Sequence, residues 1–177
     1  MAPSPPCPRS ERLCYRPLAP DTLDDFHRLV QDEHVRRYMM DGSVLPLPWS
    51  AQHMRDSQAL SARRGVGIWL AYAADTAELV GFCGFAILSS LPEPQLLYAM
   101  FGRFAGRGLA TEMGRACIAM ARMQAGFDEI VADVDEVNAA SVRVLAKLGF
   151  ERVEVRQGAF GNLLVFRLAR PELEPAG

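Results

Sequence analysis

The sequence is poor in cysteine, and its cysteines are not spaced for a metal site. Four cysteines occur in 177 residues, at positions 7, 14, 83 and 117, without a CxxC pair or a metal-ligand spacing. Cys83 and Cys117 lie inside apolar segments, where a thiol behaves as a small core residue. We therefore expect free thiols, no bound metal and a reducing, cytoplasmic setting.

A strong charge imbalance and a long apolar run are missing as well. The chain has 19 basic and 21 acidic residues, mixed along its length, and a formal net charge of -2. A nucleic-acid-binding domain would usually carry a basic face or stripe. No apolar run is as long as a membrane span, and the proline-rich residues 1–10 lack the apolar centre of a signal peptide and predict a disordered leader. These absences argue against nucleic-acid and membrane partners.

Two common phosphate-binding motifs are also absent. The chain contains no GxxxxGK[ST] motif, and its glycines lack the third glycine and the early acidic residue of a dinucleotide fingerprint. It does contain a glycine turn, RFAGRG, at residues 103–108. An apolar run that predicts a buried strand precedes this turn, and apolar residues at helical spacing follow it.

A strand, a glycine turn and a helix in this order suit a phosphate or pyrophosphate, because backbone N–H groups and the positive end of a helix dipole point to one spot. Gly106 and Gly108 would let the ligand approach the main chain without meeting a Cβ. Gly65 and Gly67 repeat this spacing without an obvious ligand. A tight turn with solvated arginines is therefore the alternative interpretation of residues 103–108.

Hydrophobic periodicity predicts a single mixed α/β domain of α+β type over residues 11–170, followed by a tail at residues 171–177. The predicted strands cover residues 11–18, 67–75, 78–88, 95–101, 129–134, 150–155 and 162–168. The predicted helices cover residues 22–30, 35–39, 50–64, 107–125 and 138–148. This order indicates a mainly antiparallel sheet of six to seven strands flanked by helices, with one right-handed parallel crossover over residues 95–134.

Residues 41–49 are predicted to form a loop, because one glycine and two prolines interrupt regular structure there. Ser50 is expected to open the helix that follows. The tryptophan of this segment, Trp49, has two interpretations. It is either part of a substrate-facing wall or an anchor packed on the core.

Two segments together resemble a known family. The turn at residues 103–108, continued by LATE, fits the pattern [RQ]xxGx[GA], and residues 138–150, NAASVRVLAKLGF, fit a second pattern that runs from N-x-x-S to KLGF. In this order they resemble the GNAT superfamily of acyl-CoA-dependent N-acetyltransferases. Residues 11–18 and 78–85 further resemble its RimJ/RimL-like branch, which acetylates the N-termini of ribosomal proteins. The resemblance extends over residues 11–168.

The resemblance implies that acetyl-CoA is the co-substrate. Backbone N–H groups of the loop would hold the cofactor pyrophosphate; these residues are Arg103, Ala105, Gly106, Arg107 and Gly108. The pantetheine arm would lie along the end of the preceding strand near Met100, and Asn138 would hydrogen-bond it. An alternative role for Asn138 is that of a helix N-cap.

The resemblance also implies direct attack of a neutral amine on the thioester, with a backbone N–H near Met100 stabilising the oxyanion. Many family members donate a proton to the departing sulfur from a tyrosine, but Leu145 stands at that position. Ser141, which matches a serine of the ribosomal-protein branch, and Tyr98 are the remaining catalytic candidates. Ser141 has an alternative role as a first-turn helix residue bonded to the local backbone.

The sequence leaves several candidates for the general base. Gln95 aligns with an acidic residue of the branch, and a second acidic position of the branch falls near Phe160. The remaining candidates are Glu93, Glu78, His34, His53 and an ordered water. A site poor in bases suits an amine of low pKa, since an α-amino group titrates at about 7.7–8.0 and a lysine near 10.4. The predicted acceptor is therefore a peptide N-terminus or a small amine such as an amino sugar.

Two other functions remain open. One is a non-catalytic acyl-CoA sensor, which Gln95 and Leu145 would permit. The other is transfer from a larger donor such as succinyl-CoA. Dimers are common in the resembling branch, so a homodimer is a further expectation that rests on analogy.

Overall fold

The computed structural model describes residues 7–88, 91–158 and 161–170. The strands are β1 (Leu13–Pro17), β2 (Ile68–Ala73), β3 (Leu79–Ala86), β4 (Gln95–Met100), β5 (Glu129–Asp135), β6 (Glu151–Gly158) and β7 (Gly161–Ala169). The helices are α1 (Leu23–Val30), α2 (Glu33–Met39), α3 (Leu47–Arg64), α4 (Leu109–Gln124) and α5 (Ala139–Lys147). The strands form one sheet in the order β1-β2-β3-β4-β5-β7-β6.

The sheet is antiparallel except for β4 and β5, which run parallel and are connected through α4. This confirms the predicted mixed α/β fold with a mainly antiparallel sheet and one parallel crossover. The parallel pairing is brief: within the described residues its register consists of Gln95 opposite Val131. Beyond this pair the two strands diverge, and the sheet opens.

The core lies on β2 and β3, where nearly every residue is buried. Helix α4 covers β3 and β4 with an apolar stripe centred on Met113, which is fully buried. Gly114 lets α4 approach the end of α5, because a Cβ there would lie 2.6 Å from a methyl carbon of Leu148. These contacts fix the position of the α4 N-terminus relative to β4 and α5.

Helix α3 begins at Leu47, three residues before the predicted start at Ser50. Pro48 lies in its first turn, where a proline is tolerated because the N–H it lacks would have no acceptor within the helix. Trp49 stacks at 6.4 Å on Phe26, a buried core residue. The anchor interpretation of Trp49 is therefore the one that the structure supports.

Four residues of the predicted leader are described, and they contact the domain. The Cys7 thiol donates to the main-chain oxygen of Tyr15 at 3.6 Å, and the Ser10 and Tyr15 hydroxyls lie 3.0 Å apart. The tail at residues 171–177 lies outside the described residues. All four cysteines are free thiols, as predicted. Among the described helices, none is long and apolar enough to cross a membrane.

Candidate active site

A cavity of about 460 Å³ lies where β4 and β5 diverge. The C-terminal residues of both strands line it, and the glycine turn, the start of α4 and helix α5 complete its wall. Seven of the residues predicted for catalysis or cofactor binding meet at this cavity: Tyr98, Met100, Ala105, Gly106, Gly108, Asn138 and Ser141. Tertiary structure thus brings together the two sequence segments that carried the family resemblance.

The edge of β4 presents main-chain groups to the cavity. Phe101, directly after β4, donates its N–H to the oxygen of Val80 in β3 at 3.1 Å. Because the hydrogen-bonding direction alternates along a strand, the N–H and C=O groups of Met100 and Tyr98 point to the opposite edge. There β5 has diverged, so an extended ligand can pair with β4 as an additional strand would.

The two glycines of the turn adopt left-handed backbone conformations. Gly106 has a φ of +78° and Gly108 a φ of +77°, and a residue with a Cβ would be strained at either position. A Cβ built on Gly106 would meet no atom within 4 Å, and one on Gly108 would lie 3.7 Å from an Arg12 nitrogen. The main chain of this turn is therefore accessible to a ligand.

The second pair of glycines with this spacing has a structural role. Gly65, with a φ of +70°, is the C-cap of α3. A Cβ on Gly67 would lie 2.9 Å from the main-chain oxygen of Ser57, so this glycine allows the start of β2 to pack against α3. The two turns, equivalent in sequence, are distinguished by what surrounds them.

Gly108 is also the N-cap of α4, and its cap has no side-chain hydrogen bond. The first N–H groups of a helix have no acceptor within the helix, so those of residues 109–111 point out of its end. The N–H of Ala105 is different, because it donates to Gly102 at 3.0 Å within a short 3-10 turn, Gly102–Phe104. Ala105 is therefore already engaged, unlike the helix-start groups.

The side chains of Arg103 and Arg107 lie outside the described lining of the cavity. Arg103 pairs with Glu78 at 2.8 Å. The guanidinium groups of Arg103 and Arg107 lie 4.8 and 5.6 Å from the ring centre of Phe104, which is buried. The two arginines thus pack the turn around Phe104, and the binding role predicted for their main chain stays a prediction.

Tyr98, Ser141 and Asn138 form one hydrogen-bonded group on the cavity wall. The Tyr98 hydroxyl donates to the main-chain oxygen of Ser141 at 3.3 Å. The side-chain oxygen of Asn138 accepts from the N–H of Ser141 at 3.1 Å, which makes Asn138 the N-cap of α5. Burial raises the pKa of Tyr98 well above its ordinary value of 10, against a smaller lowering by the Ser141 side chain. Tyr98 is therefore protonated at neutral pH, with its one proton directed at the Ser141 oxygen.

The two positions that depart from the family pattern are buried apolar or uncharged side chains. Leu145 is 2% exposed and borders the cavity. Gln95 is fully buried where β4 pairs with β5. Neither position supplies a titratable group.

Among the predicted proton acceptors, His34 lines the cavity. The other three side chains have partners elsewhere: Glu78 with Arg103 (2.8 Å), Glu93 with Arg167 (3.4 Å) and His53 with the Trp49 ring (3.6 Å between centroids). The acidic position expected near Phe160 lies outside the described residues. His34 packs against Gly102, with its ring carbon 3.4 Å from the position of an added Cβ.

Three aspartates that the sequence prediction did not include also line the cavity: Asp41, Asp133 and Asp135. Asp133 and Asp135 share one face of β5, since side chains alternate along a strand. Partial burial raises the pKa of Asp135 above its ordinary value of 3.8, and the charges of Asp41 and Asp133 raise it further. The alternating sequence Ala-Asp-Val-Asp at residues 132–135 indicates that Asp133 and Asp135 share a face, whereas Asp41 lies in a distant segment of the chain.

In residues 7–88, 91–158 and 161–170, no cluster of His, Cys, Asp or Glu suited to a metal ion occurs.

Helix α5 adds two cations to the cavity wall. Arg143 and Lys147 both line the cavity, and their spacing of four residues places them on one face of the helix. Both residues are exposed. The wall therefore carries positive charge on α5 and negative charge on β5, in addition to the glycine turn.

The sequence and the fold both match known proteins. Residues 12–151 match the family model of the acetyltransferase (GNAT) domain. The uncharacterized protein YkkB of Bacillus subtilis (strain 168) is 32% identical over 87 residues, which are 48% of this chain and 51% of that protein. The matched part thus spans about half the length of this curated relative.

Solved structures share the whole fold. An acetyltransferase from Agrobacterium tumefaciens str. C58 is similar with a TM-score of 0.79 and 23% identity, over 96% of this chain and 98% of that chain. RimL, a ribosomal L7/L12 alpha-N-protein acetyltransferase in complex with coenzyme A, is similar with a TM-score of 0.78 and 17% identity, over 93% of this chain and 97% of that chain. The aminoglycoside acetyltransferase AAC(6')-Ib in complex with coenzyme A is similar with a TM-score of 0.72 and 18% identity, over 89% of this chain and 95% of that chain. At these identities the likeness establishes the fold.

Proposed function

The chain belongs to the acetyltransferase (GNAT) family, and on that basis we propose that it transfers an acetyl group from acetyl-CoA to a primary amine. The observation that carries the proposal is the cavity between β4 and β5. There the accessible main chain of Gly106 and Gly108 and the hydroxyl of Tyr98 line one space. The glycine turn suits the phosphates of a coenzyme A thioester, and the hydroxyl suits its sulfur.

The phosphate end of coenzyme A fits the glycine turn and helix α4. The open space beside Gly106 is the space that a Cβ would fill. The uncapped N-terminus of α4 favours negative charge next to it. Arg143 and Lys147 add two cations to the lining of the same cavity, and cations attract phosphate.

The pantetheine arm fits the edge of β4. Its amides are able to pair with the outward main-chain groups of Tyr98 and with the C=O of Met100 as in strand addition, which leaves the N–H of Met100 for the thioester carbonyl. The side-chain oxygen of Asn138 is engaged in the cap of α5, so its NH₂ group is the part that donates to a pantetheine carbonyl. The cap and the binding role predicted for Asn138 are thus compatible.

In the proposed reaction the acceptor amine attacks the thioester carbonyl of acetyl-CoA, and the acetyl group passes to nitrogen as coenzyme A departs. The N–H of Met100 stabilises the negative charge that develops on the carbonyl oxygen. Tyr98 is protonated at neutral pH, and by rotating its O–H away from the Ser141 oxygen it donates to the departing sulfur. Ser141 is the alternative donor, because it lies beside the Tyr98 hydroxyl.

The acidic residues of the cavity bind the acceptor amine and take up its proton in the proposed reaction. Asp41, Asp133 and Asp135 attract an ammonium group, and Asp135, with its raised pKa, accepts the proton. On this proposal the cavity contains a base, and the preference for an amine of low pKa stays a prediction. A protein N-terminus and a small amine both suit these carboxylates.

Mass spectrometry of the products tests the proposal. The protein is incubated with acetyl-CoA and a pool of peptides, polyamines and aminoglycosides, and a parallel reaction contains succinyl-CoA. We expect a mass increase of one acetyl group on a primary amine. Coenzyme A binding without product from any amine would support the sensor, and product from succinyl-CoA alone would support the larger donor.

A pair of glycine variants controls this experiment. Gly106→Trp places a side chain in the proposed pyrophosphate space and should abolish both product and calorimetric coenzyme A binding. Gly126→Trp introduces the same strain, since Gly126 has a φ of +67° and open space around it, but at the other end of α4. Gly126→Trp should bind coenzyme A and form product as the wild-type protein does. Equal coenzyme A binding by both variants would refute the assignment of the loop.

A further inference from the structure

A side chain from the start of the domain holds the glycine turn in place. Arg12, directly before β1, contacts Glu112 in the first turn of α4 three times. Its main-chain N–H donates to one carboxylate oxygen at 2.8 Å, and two guanidinium nitrogens lie 2.7 and 2.6 Å from the other. A third guanidinium nitrogen donates to the main-chain oxygen of Arg107 at 3.0 Å. One arginine thus joins the turn to the helix behind it.

The contact to Arg107 determines the direction of the next N–H group. In a planar trans peptide the C=O of one residue and the N–H of the following residue point to opposite sides. Because Arg12 holds the oxygen of Arg107, the N–H of Gly108 is directed away from Arg12. Gly106 and Gly108 have access to more backbone conformations than any other residue type, so this direction needs an external constraint.

The contact to Glu112 fixes the helix end at the same time. The Glu112 N–H donates to the oxygen of Gly108 at 3.1 Å, so its residue forms the first α-helical hydrogen bond of α4. The Glu112 side chain is 15% exposed. Partial burial opposes its ionisation, but the hydrogen bonds from the Arg12 main chain, Ser10 and the Arg12 side chain outweigh this effect and lower its pKa. Glu112 is therefore ionised at neutral pH and bound to Arg12.

We propose that Arg12 is a positioning residue for coenzyme A: through Glu112 and the Arg107 oxygen it pre-organises the main-chain donors of the glycine turn for the pyrophosphate. This inference rests on the proposed function, since it names a further residue on which the same binding site depends. Arg12 acts through the turn and does not itself touch the reacting atoms. When the loop is already ordered before coenzyme A binds, less conformational entropy is lost on binding.

Arg16, near the other end of β1, offers a matched control. Arg16 pairs with Asp21 at 2.6 Å, and its side chain is 51% exposed, compared with 52% for Arg12. Each arginine thus forms a short ion pair with an acidic residue, Arg12 before the start of β1 and Arg16 near its end. Only the pair of Arg12 includes a residue of the α4 first turn.

The test compares Arg12→Met, Glu112→Gln and Arg16→Met by calorimetric titration with coenzyme A and by hydrogen exchange without ligand. We expect Arg12→Met and Glu112→Gln each to weaken coenzyme A binding about tenfold, because the loop then has to be ordered on binding. The double variant should be no weaker than either single one. Amide hydrogen exchange at residues 106–111 should become faster in Arg12→Met and Glu112→Gln, relative to exchange in β2 and β3. Arg16→Met should match the wild type in both coenzyme A affinity and hydrogen exchange.

Each other outcome has a defined meaning. Unchanged coenzyme A affinity and unchanged loop exchange in Arg12→Met would overturn the inference, as would an equal loss in Arg16→Met. A role in stability alone would lower the Tm while leaving the affinity of the folded protein unchanged. If Arg12→Met does not fold, Glu112→Gln and Arg12→Lys, which keeps the charge but loses the fork geometry, decide the question. Failure of the wild type to bind coenzyme A would refute the proposed function, and loop exchange would then test the positioning alone.

Discussion

The hydroxyl of Tyr98 on β4 donates a hydrogen bond to the main-chain oxygen of Ser141 on α5, 3.3 Å away. This bond joins the two walls of the cavity at the point where the sheet opens. It also places the two candidate sulfur donors side by side, although 43 positions separate them in the chain. Removal of one hydroxyl therefore tests which residue donates.

Tyr98→Phe removes the hydroxyl and keeps the ring. If Tyr98 donates to the departing sulfur, kcat should fall about a hundredfold, in the range typical of a general acid. KM for acetyl-CoA should change little, because the contact to sulfur forms as the bond breaks. Steady-state kinetics with the acceptor found by mass spectrometry measures both constants.

The matched control for this change is Tyr72→Phe. The Tyr72 hydroxyl also donates a hydrogen bond, to Asp25 at 2.8 Å, and burial raises its pKa to about 12. Tyr72 lies outside the described lining of the cavity, so its variant should keep the wild-type kcat. Full activity of Tyr98→Phe together with a large loss in Ser141→Ala would assign the donor role to Ser141.

Asp135→Asn should change activity and stability in opposite directions. As the proposed proton acceptor, Asp135 must be ionised, so wild-type kcat/KM should decline at acidic pH as this carboxylate becomes protonated. The asparagine variant should lose about a hundredfold in kcat/KM and lack this acidic decline. A pH series of initial rates measures the effect. Asp133→Asn removes a charge that raises the Asp135 pKa, so it should move the acidic decline to lower pH without abolishing it. An unchanged acidic decline in Asp135→Asn would show that another group accepts the proton.

The stability effect of Asp135→Asn follows from the sign of its pKa shift. Its pKa is raised in the folded protein, so the folded state binds the proton more tightly than the unfolded chain does. Ionised Asp135 therefore costs stability, and the asparagine variant should have a higher Tm at pH 7. The gain should disappear as the pH falls below about 3.8, the ordinary value for aspartate. Thermal unfolding across this range would contradict the prediction if the Tm of the variant were lower at pH 7.

Glu112→Gln should show the reverse dependence on pH. The pKa of Glu112 is lowered in the folded protein, so its ionisation stabilises the fold above the ordinary value of 4.5 and this contribution is lost as the pH falls through the lowered pKa. The variant should lose about 1 kcal/mol of unfolding free energy at pH 7. Its difference from the wild type should shrink between about pH 5 and pH 3.

A surface ion pair is the control for the Glu112 experiment. Asp128 lies 3.3 Å from Arg170 and its side chain is 84% exposed. Exposed pairs of this kind contribute little, so Asp128→Asn should leave the free energy of unfolding nearly unchanged. Denaturant titrations at several pH values compare the two variants. A Glu112→Gln difference that stays constant down to pH 3 would contradict the prediction.

The sequence predicted the parts of the site that depend on short-range spacing. Gly106 and Gly108 lie within one turn, and the cap from Asn138 to Ser141 spans three positions, so local backbone preferences are enough to indicate them. The predicted start of α3 is three residues late, because a proline such as Pro48 suggests a loop and yet is tolerated in a first helical turn.

The acidic wall and the Arg12 contacts depend on segments that are far apart in the chain. The charge of Asp41 acts on Asp135 only because the turn after α2 and strand β5 border the same cavity. Arg12 and Glu112 are separated by 100 positions. No local pattern relates such residues, since their contact depends on how the sheet and helices pack.

By itself, the sequence determined the order of strands and helices, the two family motifs and the glycine turn, because each of these follows from periodicity or spacing within a few residues. The tertiary structure alone decided that β4 and β5 part after Gln95 and Val131, and this divergence forms the cavity. It also decided which charged side chains face that cavity, because burial and charge at a site are set by neighbours from the whole fold.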